Sequence, residues 1–558
     1  MMTNRKKISL FIWVVAMTFV ALLLMKDRLF LFDKPVHLPL QFKSYHVSEA
    51  DTLGAIAAPI LPDISGYTLE NIEKRKPAVE FGVVNITILD SILGMEKFTE
   101  QRRHVEFSRL QKRADPVTIN IRSGVYDLES LTAVVGRPEY LEKTADGYLL
   151  KVPLYVERGA AMLIEGTPEK HINLKMSSVT GGFIVNSGNV FIIHADVSGW
   201  NDEANTYSTY QPNSEKEFRP FYATWSGSET YFYGSHFKDL GYHLSKSYGI
   251  SFSSSKLFIK ENPNISPPKG WLVNNIFEGL YYGFYSYEAR DIAIIGNTYK
   301  NNIIYGIDPH DRSTRLTIAK NIAYGSMKKH GIIVSREVND SWIFDNICFL
   351  NHGSGFMLDR SSIRNVVANN YAFLNSNDGL TLFESQENLL YDNKMFANGK
   401  SGFRFRNSWD IISTKNWVLF NRDDGVQSYA FDITKTEKDR DFVMDPFTIK
   451  SSLRIQDDII LGNMKGDIKL NSFGNVTLSG IEYGFYRSNF MRGELDDIGR
   501  ELAKGIQAHP NGLKIDFTKS SAMADAAVSD QIMNIPKKKH KNPSDSLGDL
   551  DEDGASEE

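Results

Sequence analysis

Cysteine is almost missing from this chain: a single one, Cys348, stands in the apolar run "NICFL". One thiol cannot close an internal disulfide and rules out every cysteine-based zinc site; Cys348 is read as a small core residue. A basic excess is missing too. Against 63 lysines and arginines stand 68 aspartates and glutamates, for a net charge of -5. Nothing in that balance favours a nucleic-acid partner, whose phosphates need a basic surface. The middle of the chain also lacks the 3.6-residue period that helical repeats carry over ten or more residues.

What is present begins with apolar material, 42% of 558 residues, enough for a large core. Near the N-terminus "NRKK" precedes Ile8 to Met25, 18 residues without charge, close to the about 20 needed to cross a bilayer. Arg5, Lys6 and Lys7 outweigh the flank after Met25, which places the N-terminus in the cytoplasm and the rest across the membrane. A cleaved signal peptide is the rival, but no small-x-small pattern follows the run, and residues 1–28 are expected to be an uncleaved anchor. From about Ser520 the chain has few large apolar residues, then "KKKHK" and an acidic block, the composition of a disordered charged tail.

A repeat organises the middle. A glycine followed by a large apolar residue recurs at Gly283, Gly306, Gly331, Gly355, Gly379, Gly402 and Gly425, in steps of 23, 25, 24, 24, 23 and 23 residues. Asparagines keep the same beat at Asn297, Asn321, Asn346, Asn370, Asn393 and Asn416, and again at Asn351, Asn375, Asn398 and Asn421. Segments this short, alternating apolar and polar and broken by Gly and Asn, are strands. The spacing predicts an all-β chain, a right-handed parallel β-helix whose coils stack about 4.8 Å apart with like residues in ladders. The Leu-x-x-Leu-x-Leu frame of leucine-rich repeats does not occur. Looser coils upstream extend the solenoid over residues 116–515, with 29–115 as an N-terminal cap over its open edge and 516–558 as the tail.

Alternation along each strand divides inward from outward residues. One and three places after the glycine come Ile307 and Pro309, Phe356 and Leu358, Phe403 and Phe405, which fill the coil. Two and four places after it come Asp308 and His310, Met357 and Asp359, Thr381 and Phe383, Arg404 and Arg406, which face outward. The fifth place reads Glu288, Asp311, Arg336, Arg360, Glu384, Asn407. Ionisable and aromatic groups repeated on one side of a solenoid make a linear groove for a chain-like substrate, most naturally a polysaccharide with regularly spaced charges.

"YGIDPHDRS", Tyr305 to Ser313, is the coil whose outward positions carry a histidine. His310 lies one rung from Arg336, so the two side chains fall within roughly 5 to 8 Å of each other. Removing the C5 hydrogen of a uronate is difficult because the carbanion must spread into a carboxylate that is already negative. An arginine that grips this carboxylate supplies the missing stabilisation, and a neutral histidine is a suitable base. A histidine in a polar turn is more often structural when taken alone; Asp308, Asp311, the neighbouring arginine and the outward register favour chemistry here.

"NTYKNNIIYGIDPHDRS", followed by "KKHGIIVSREVNDS", "LDRSS" and "DGLTLFES", closely resembles the periplasmic mannuronan C-5 epimerases of alginate-producing bacteria, the AlgG type. The resemblance spans the β-helix and is strongest from Leu240 to near Asp445. It implies conversion of D-mannuronate to L-guluronate inside the polymer, without chain cleavage, with His310 as base and Arg336 neutralising the carboxylate. Asp308 and Asp311 would orient or tune the site, and Tyr305 would stand at the reprotonating face with water as the acid; from the outward ladder, Asp359, Arg360, Glu384, Arg404 and Arg406 are expected to line the polymer. The secreted multi-domain epimerases use calcium and glycine-aspartate nonapeptides; no such array occurs here, so neither metal nor other cofactor is expected. The implied partners are polymannuronate or alginate and a periplasmic alginate secretion complex. Two rivals share the scaffold: a polyuronate lyase, which begins with the same proton abstraction, and a non-catalytic guide for nascent polymer.

Overall fold

A computed structural model describes residues 40–517 apart from 43, 44, 52, 53, 90–102, 245, 255–263, 444, 473 and 485–488. The expected anchor at 8–25 lies outside the described residues, as does the tail from residue 518. No helix among the described residues is long and apolar enough to cross a membrane.

Each coil lays one strand on each of three sheets, of sixteen, fifteen and fifteen strands. The coil of the histidine contributes Tyr305–His310, Thr317–Ala319 and Ile322–Tyr324; the next contributes Ile332–Ser335, Trp342–Phe344 and Ile347–Phe349. Corresponding strands pair in parallel, Ile307 with Ile332 and His310 with Ser335. This is the all-β, parallel β-helix architecture that the 23-to-25-residue period predicts. Ile307, Phe356, Leu358, Leu380, Leu382, Phe403 and Phe405 are buried at 0 to 1% exposure, a continuous apolar column inside the coils.

The two asparagine series are buried ladders. Asn297 Nδ2 donates to Asn321 Oδ1 at 3.1 Å, and the pattern repeats from Asn321 through Asn346, Asn370 and Asn393 to Asn416. The second series runs from Asn351 to Asn463, with each amide at 2.9 to 3.0 Å from the next. Each amide also reaches a backbone carbonyl, as Asn321 Nδ2 does at Ile294 O, so the buried polar groups keep their hydrogen bonds. The glycine marker has a different cause, close approach: a Cβ on Gly306 would lie 2.5 Å from the Gly331 carbonyl oxygen, and one on Gly402 would lie 2.1 Å from Val418 Cγ1.

The N-terminal region is arranged differently from a cap on one edge. Tyr45–Glu49 pairs antiparallel with Leu513–Phe517, which pairs antiparallel with Asn475–Ser479 of the last coils. That strand takes in the first two residues of the stretch read as tail. Leu61, Ile64 and Tyr67 pack on the outside of the sixteen-stranded sheet near Trp271 and Phe344, and Ile72 packs with Val125 and Phe191. Val84–Ile88 then pairs antiparallel with Val117–Ile121 of the first coil. One segment thus pairs over an edge of one sheet at each end of the solenoid, where unpaired N–H and C=O groups would otherwise be exposed.

Candidate functional site

The fifth-position ladder is a corner. Glu288, Asp311, Arg336, Arg360, Glu384 and Asn407 all have left-handed backbone, with φ between 39° and 60°. The same conformation recurs at Lys320, Asp345, Asn369, Asp392 and Lys415 on another corner, so it belongs to the architecture rather than to the site. What the site adds is charge at that corner, on the edge of the sheet that holds His310.

His310 ends its strand and is 8% exposed. Its Nδ1 lies 2.5 Å from Asp311 Oδ2, and its ring centroid is 5.9 Å from that of Tyr285. Asp311 also faces the neighbouring coil, where Arg336 Nη1 approaches its Oδ1 at 3.7 Å. One carboxylate therefore links the histidine and arginine that the repeat places a rung apart. Burial pushes the Asp311 pKa up, but His310, Arg336 and Arg312 outweigh it and hold the group below its ordinary 3.8. Burial and then the charge of Asp311 push the Tyr285 phenol well above 10.

The outward register predicts open access for the whole face, and the structure corrects this. Asp308, opposite Tyr285 in register, is 1% exposed; Ile333 and Met357, opposite each other, are buried as well. Tyr305, 3% exposed, sits in an aromatic cluster with Tyr281 and Tyr282 and stacks on His330 at 5.9 Å. The face points outward, but segments distant in sequence cover it.

Tyr210 packs against the Tyr305 cluster, and the later coils are covered by an insertion between Asp424–Tyr429 and Leu453–Gln456. Along the asparagine ladder neighbours stand 22 to 25 residues apart, whereas Asn416 meets its successor, Asp458, after 42. From this insertion Arg440, 2% exposed at its side chain, donates to Glu384 Oε2 at 2.9 Å, Glu437 Oε2 at 3.1 Å and Asp445 Oδ1 at 3.2 Å. Glu384 and Arg406, expected along the polymer, form a two-point pair at 2.8 and 3.0 Å, and Arg406 also donates to Glu437 at 2.7 Å. Arg404 lies 3.5 Å from the buried Asp378. Arg360 Nε is 3.7 Å from Asp359 Oδ2 and 3.6 Å from Asp445 Oδ2. Sequence reasoning did not single out Glu437, Arg440 and Asp445; the one signal for them is the lengthened step in the ladder.

The comparisons with known proteins follow the same coils. A family described as periplasmic copper-binding protein (NosD) matches residues 268–401 and 313–482. Among the described residues no three His, Cys, Asp or Glu side chains converge as metal ligands do. A mannuronan C5-epimerase of Pseudomonas putida is 37% identical over 448 residues, covering 78% of this chain and 83% of its own length. The mannuronan C5-epimerase AlgG of Azotobacter vinelandii is 37% identical over 79% of this chain and 83% of its own. A crystal structure of the periplasmic alginate epimerase AlgG superposes with a TM-score of 0.72 at 35% identity, over 77% of this chain and all of that one.

Proposed function

The chain belongs to the mannuronan C5-epimerase family, an isomerase acting in alginate biosynthesis, and from that premise we propose that His310 and Arg336 carry the inversion of mannuronate to guluronate. The observation that carries this reading is the shared carboxylate: Asp311 touches His310 Nδ1 and faces Arg336. An ionised Asp311 accepts the Nδ1 proton of a neutral imidazole, which fixes the tautomer in which Nε2 is the basic nitrogen. His310 Nε2 takes the C5 proton, and the electron pair spreads into the adjoining carboxylate. Arg336 meets the charge that grows there, the point at which preorganised electrostatics contribute most. A proton from water on the opposite face completes inversion, and the 4-linked sugar stays in place.

Polymannuronate is the substrate in this reading, with Arg360 and Arg404 beside the reacting unit and Tyr305 in the cluster with Ile333 and Met357 on the same outer face. The proposal places the β-helix in the periplasm, in keeping with its solved relative, held to the inner membrane by residues 8–25 and working beside an alginate secretion complex. Proton NMR of polymannuronate incubated with the purified chain tests the activity. Guluronate signals are expected; unsaturated ends would mean a lyase, and an unchanged polymer would mean a guide without chemistry.

A further inference from the structure

A cavity of about 620 Å³ opens on another face of the solenoid, with Asp63, Tyr67, Asn71, Lys74, Arg75 and Trp271 in its lining. Trp271 belongs to Lys269–Val273 of the sixteen-stranded sheet, whereas His310 lies on a fifteen-stranded one, so the catalytic residues take no part in it. The N-terminal segment builds the wall. Leu61 and Ile64 seal the sheet beside Phe344 and Ala319 with apolar side chains. At Trp271 the same segment instead brings two cations and only one carboxylate to the lining. The volume falls within the roughly 300 to 1,000 Å³ of small-ligand pockets.

Aromatic rings position the guanidinium. Trp271 meets Tyr67 at 4.9 Å and Tyr231 at 5.6 Å, both in T-shaped contact, and Arg75 sits over it at 4.5 Å from the ring centroid. A guanidinium held by a ring uses its charge there and keeps N–H donors for a planar carboxylate. Glu229, whose charge Arg75 also feels, is already engaged by Lys269 at 2.9 Å and Tyr231 at 2.5 Å. Ile72, buried against Val125 and Phe191, anchors the turn from which Lys74 and Arg75 project. Lys74 pairs with Glu70 at 2.7 Å, but its side chain is 64% exposed, and so open a pair is readily exchanged. Acceptors complete the lining. Ser65 donates to both Asp63 oxygens at 2.9 Å, which holds that carboxyl below its ordinary 3.8 and keeps it ionised. Asn71 Nδ2 donates to Gly66 O at 2.8 Å, which turns Asn71 Oδ1 toward Lys74.

We propose that this cavity is a non-catalytic binding site for an anionic sugar, a uronate unit gripped at its carboxylate by Arg75 and Lys74 and at its hydroxyls by Asp63 and Asn71. Its effect is on retention: a polymer long enough to reach both sites dissociates only when both let go, so two weak grips add up. The choice of mannuronate among uronates rests on the epimerase reading; the charge and hydroxyl chemistry of the cavity does not.

The chain has seven tryptophans, so the full chain with isotope-labelled tryptophan gives few indole N–H signals in NMR, and Trp271→Phe assigns the one at the cavity. Mannuronate trimer should shift that signal. Lys74→Ala combined with Arg75→Ala should raise the trimer concentration for half the shift about tenfold or more, as loss of charge-assisted bonds to a carboxylate requires. Both residues are exposed and remote from the catalytic sheet. The double variant should therefore keep the wild-type thermal midpoint and a kcat within about twofold, while polymannuronate retained at limiting concentration falls about threefold. No shift at about 10 mM trimer, or a shift that the double variant leaves unchanged, overturns the proposal. An equal shift with neutral cellotriose, or a larger one with adenosine diphosphate, overturns it as well. A chain that shows the expected shift yet converts no polymannuronate refutes the epimerase reading and upholds the anionic-sugar site.

Discussion

Along the outer face of the site-bearing sheet, the coils before His310 and the coils after it are built from different chemistry. Before it stand phenol rings: Tyr248 stacks on Tyr282 at 4.6 Å, meets Tyr285 edge-on at 4.9 Å, and Tyr285 reaches the histidine ring. After it Arg336, Arg360, Arg406 and Arg440 interleave with Asp311, Asp359, Glu384, Glu437 and Asp445. The phenols of the aromatic side stay protonated, since burial pushes Tyr287 up to about 12 and raises Tyr285 well above the usual phenol range. The difference separates two tasks. One side sets a protonated phenol, Tyr285, against the imidazole, and the other offers cations held by carboxylates, partners that a polyanion can replace.

Removing the group at the junction breaks the comparison outright. His310→Asn should lower epimerisation by about a thousandfold or more, the upper range for loss of a general base. Because the asparagine amide can still donate to Asp311 in place of His310 Nδ1, the thermal midpoint should stay close to that of wild type, and polymer binding should persist. Wild-type turnover in a folded variant would remove His310 from the mechanism.

On the charged side, Arg336→Lys should be nearly as damaging as Arg336→Ala, each by about a hundredfold in kcat, because an ammonium cannot reproduce the planar two-point grip on a carboxylate. Recovery of most of the rate with lysine would reduce Arg336 to a general attraction for anions. On the aromatic side the effect should be smaller. Tyr285→Phe removes a hydroxyl that remains protonated at any working pH and should cost less than about tenfold in kcat, with affinity for polymannuronate unchanged. A loss as large as that of Arg336→Lys would show that the two sides do not divide the work.

Much of the scaffold was legible because stacking demands the same residue at the same place in every coil. A glycine whose Cβ would meet the next coil, or an asparagine whose amide must meet another asparagine, recurs with the period and is found by counting. The alternation of Ile307, Asp308, Pro309 and His310 likewise places His310 and Asp308 outward. Burial of that face was not legible, because it depends on segments that do not repeat. Asp445 reaches Arg336 from an insertion more than a hundred residues away in sequence, and such a contact leaves no periodic trace. Nor does any local pattern announce that Tyr45–Glu49 pairs with Leu513–Phe517 at the far end of the chain. Glu384 and Arg406 show the same limit from the other side: their positions in the ladder were evident, but their mutual pairing depends on what lies above them.

A carboxylate remote from both sides provides the control that sharpens the comparison. Asp458 continues the first asparagine ladder, accepting from the Asn416 backbone N–H at 2.7 Å and from its side-chain amide at 3.1 Å. Burial pushes its pKa from 3.8 up to about 7, against the hydrogen bonds of Ser413 and Asn416, which lower it. Between those two values the folded chain keeps a proton that the unfolded chain has released. The stability this group contributes is therefore fully present below 3.8 and is lost as pH rises through about 7. Asp458→Asn restores the residue used at the preceding rungs and carries no charge. It should raise stability at about pH 8 by on the order of 2 to 4 kcal/mol, with little change near pH 4. Thermal melts at the two pH values check this, and turnover of polymannuronate at neutral pH should match wild type. A stabilisation equal at both pH values would show that the carboxyl does not titrate as argued, and a loss of turnover would mean that the ladder and the site are coupled rather than separate.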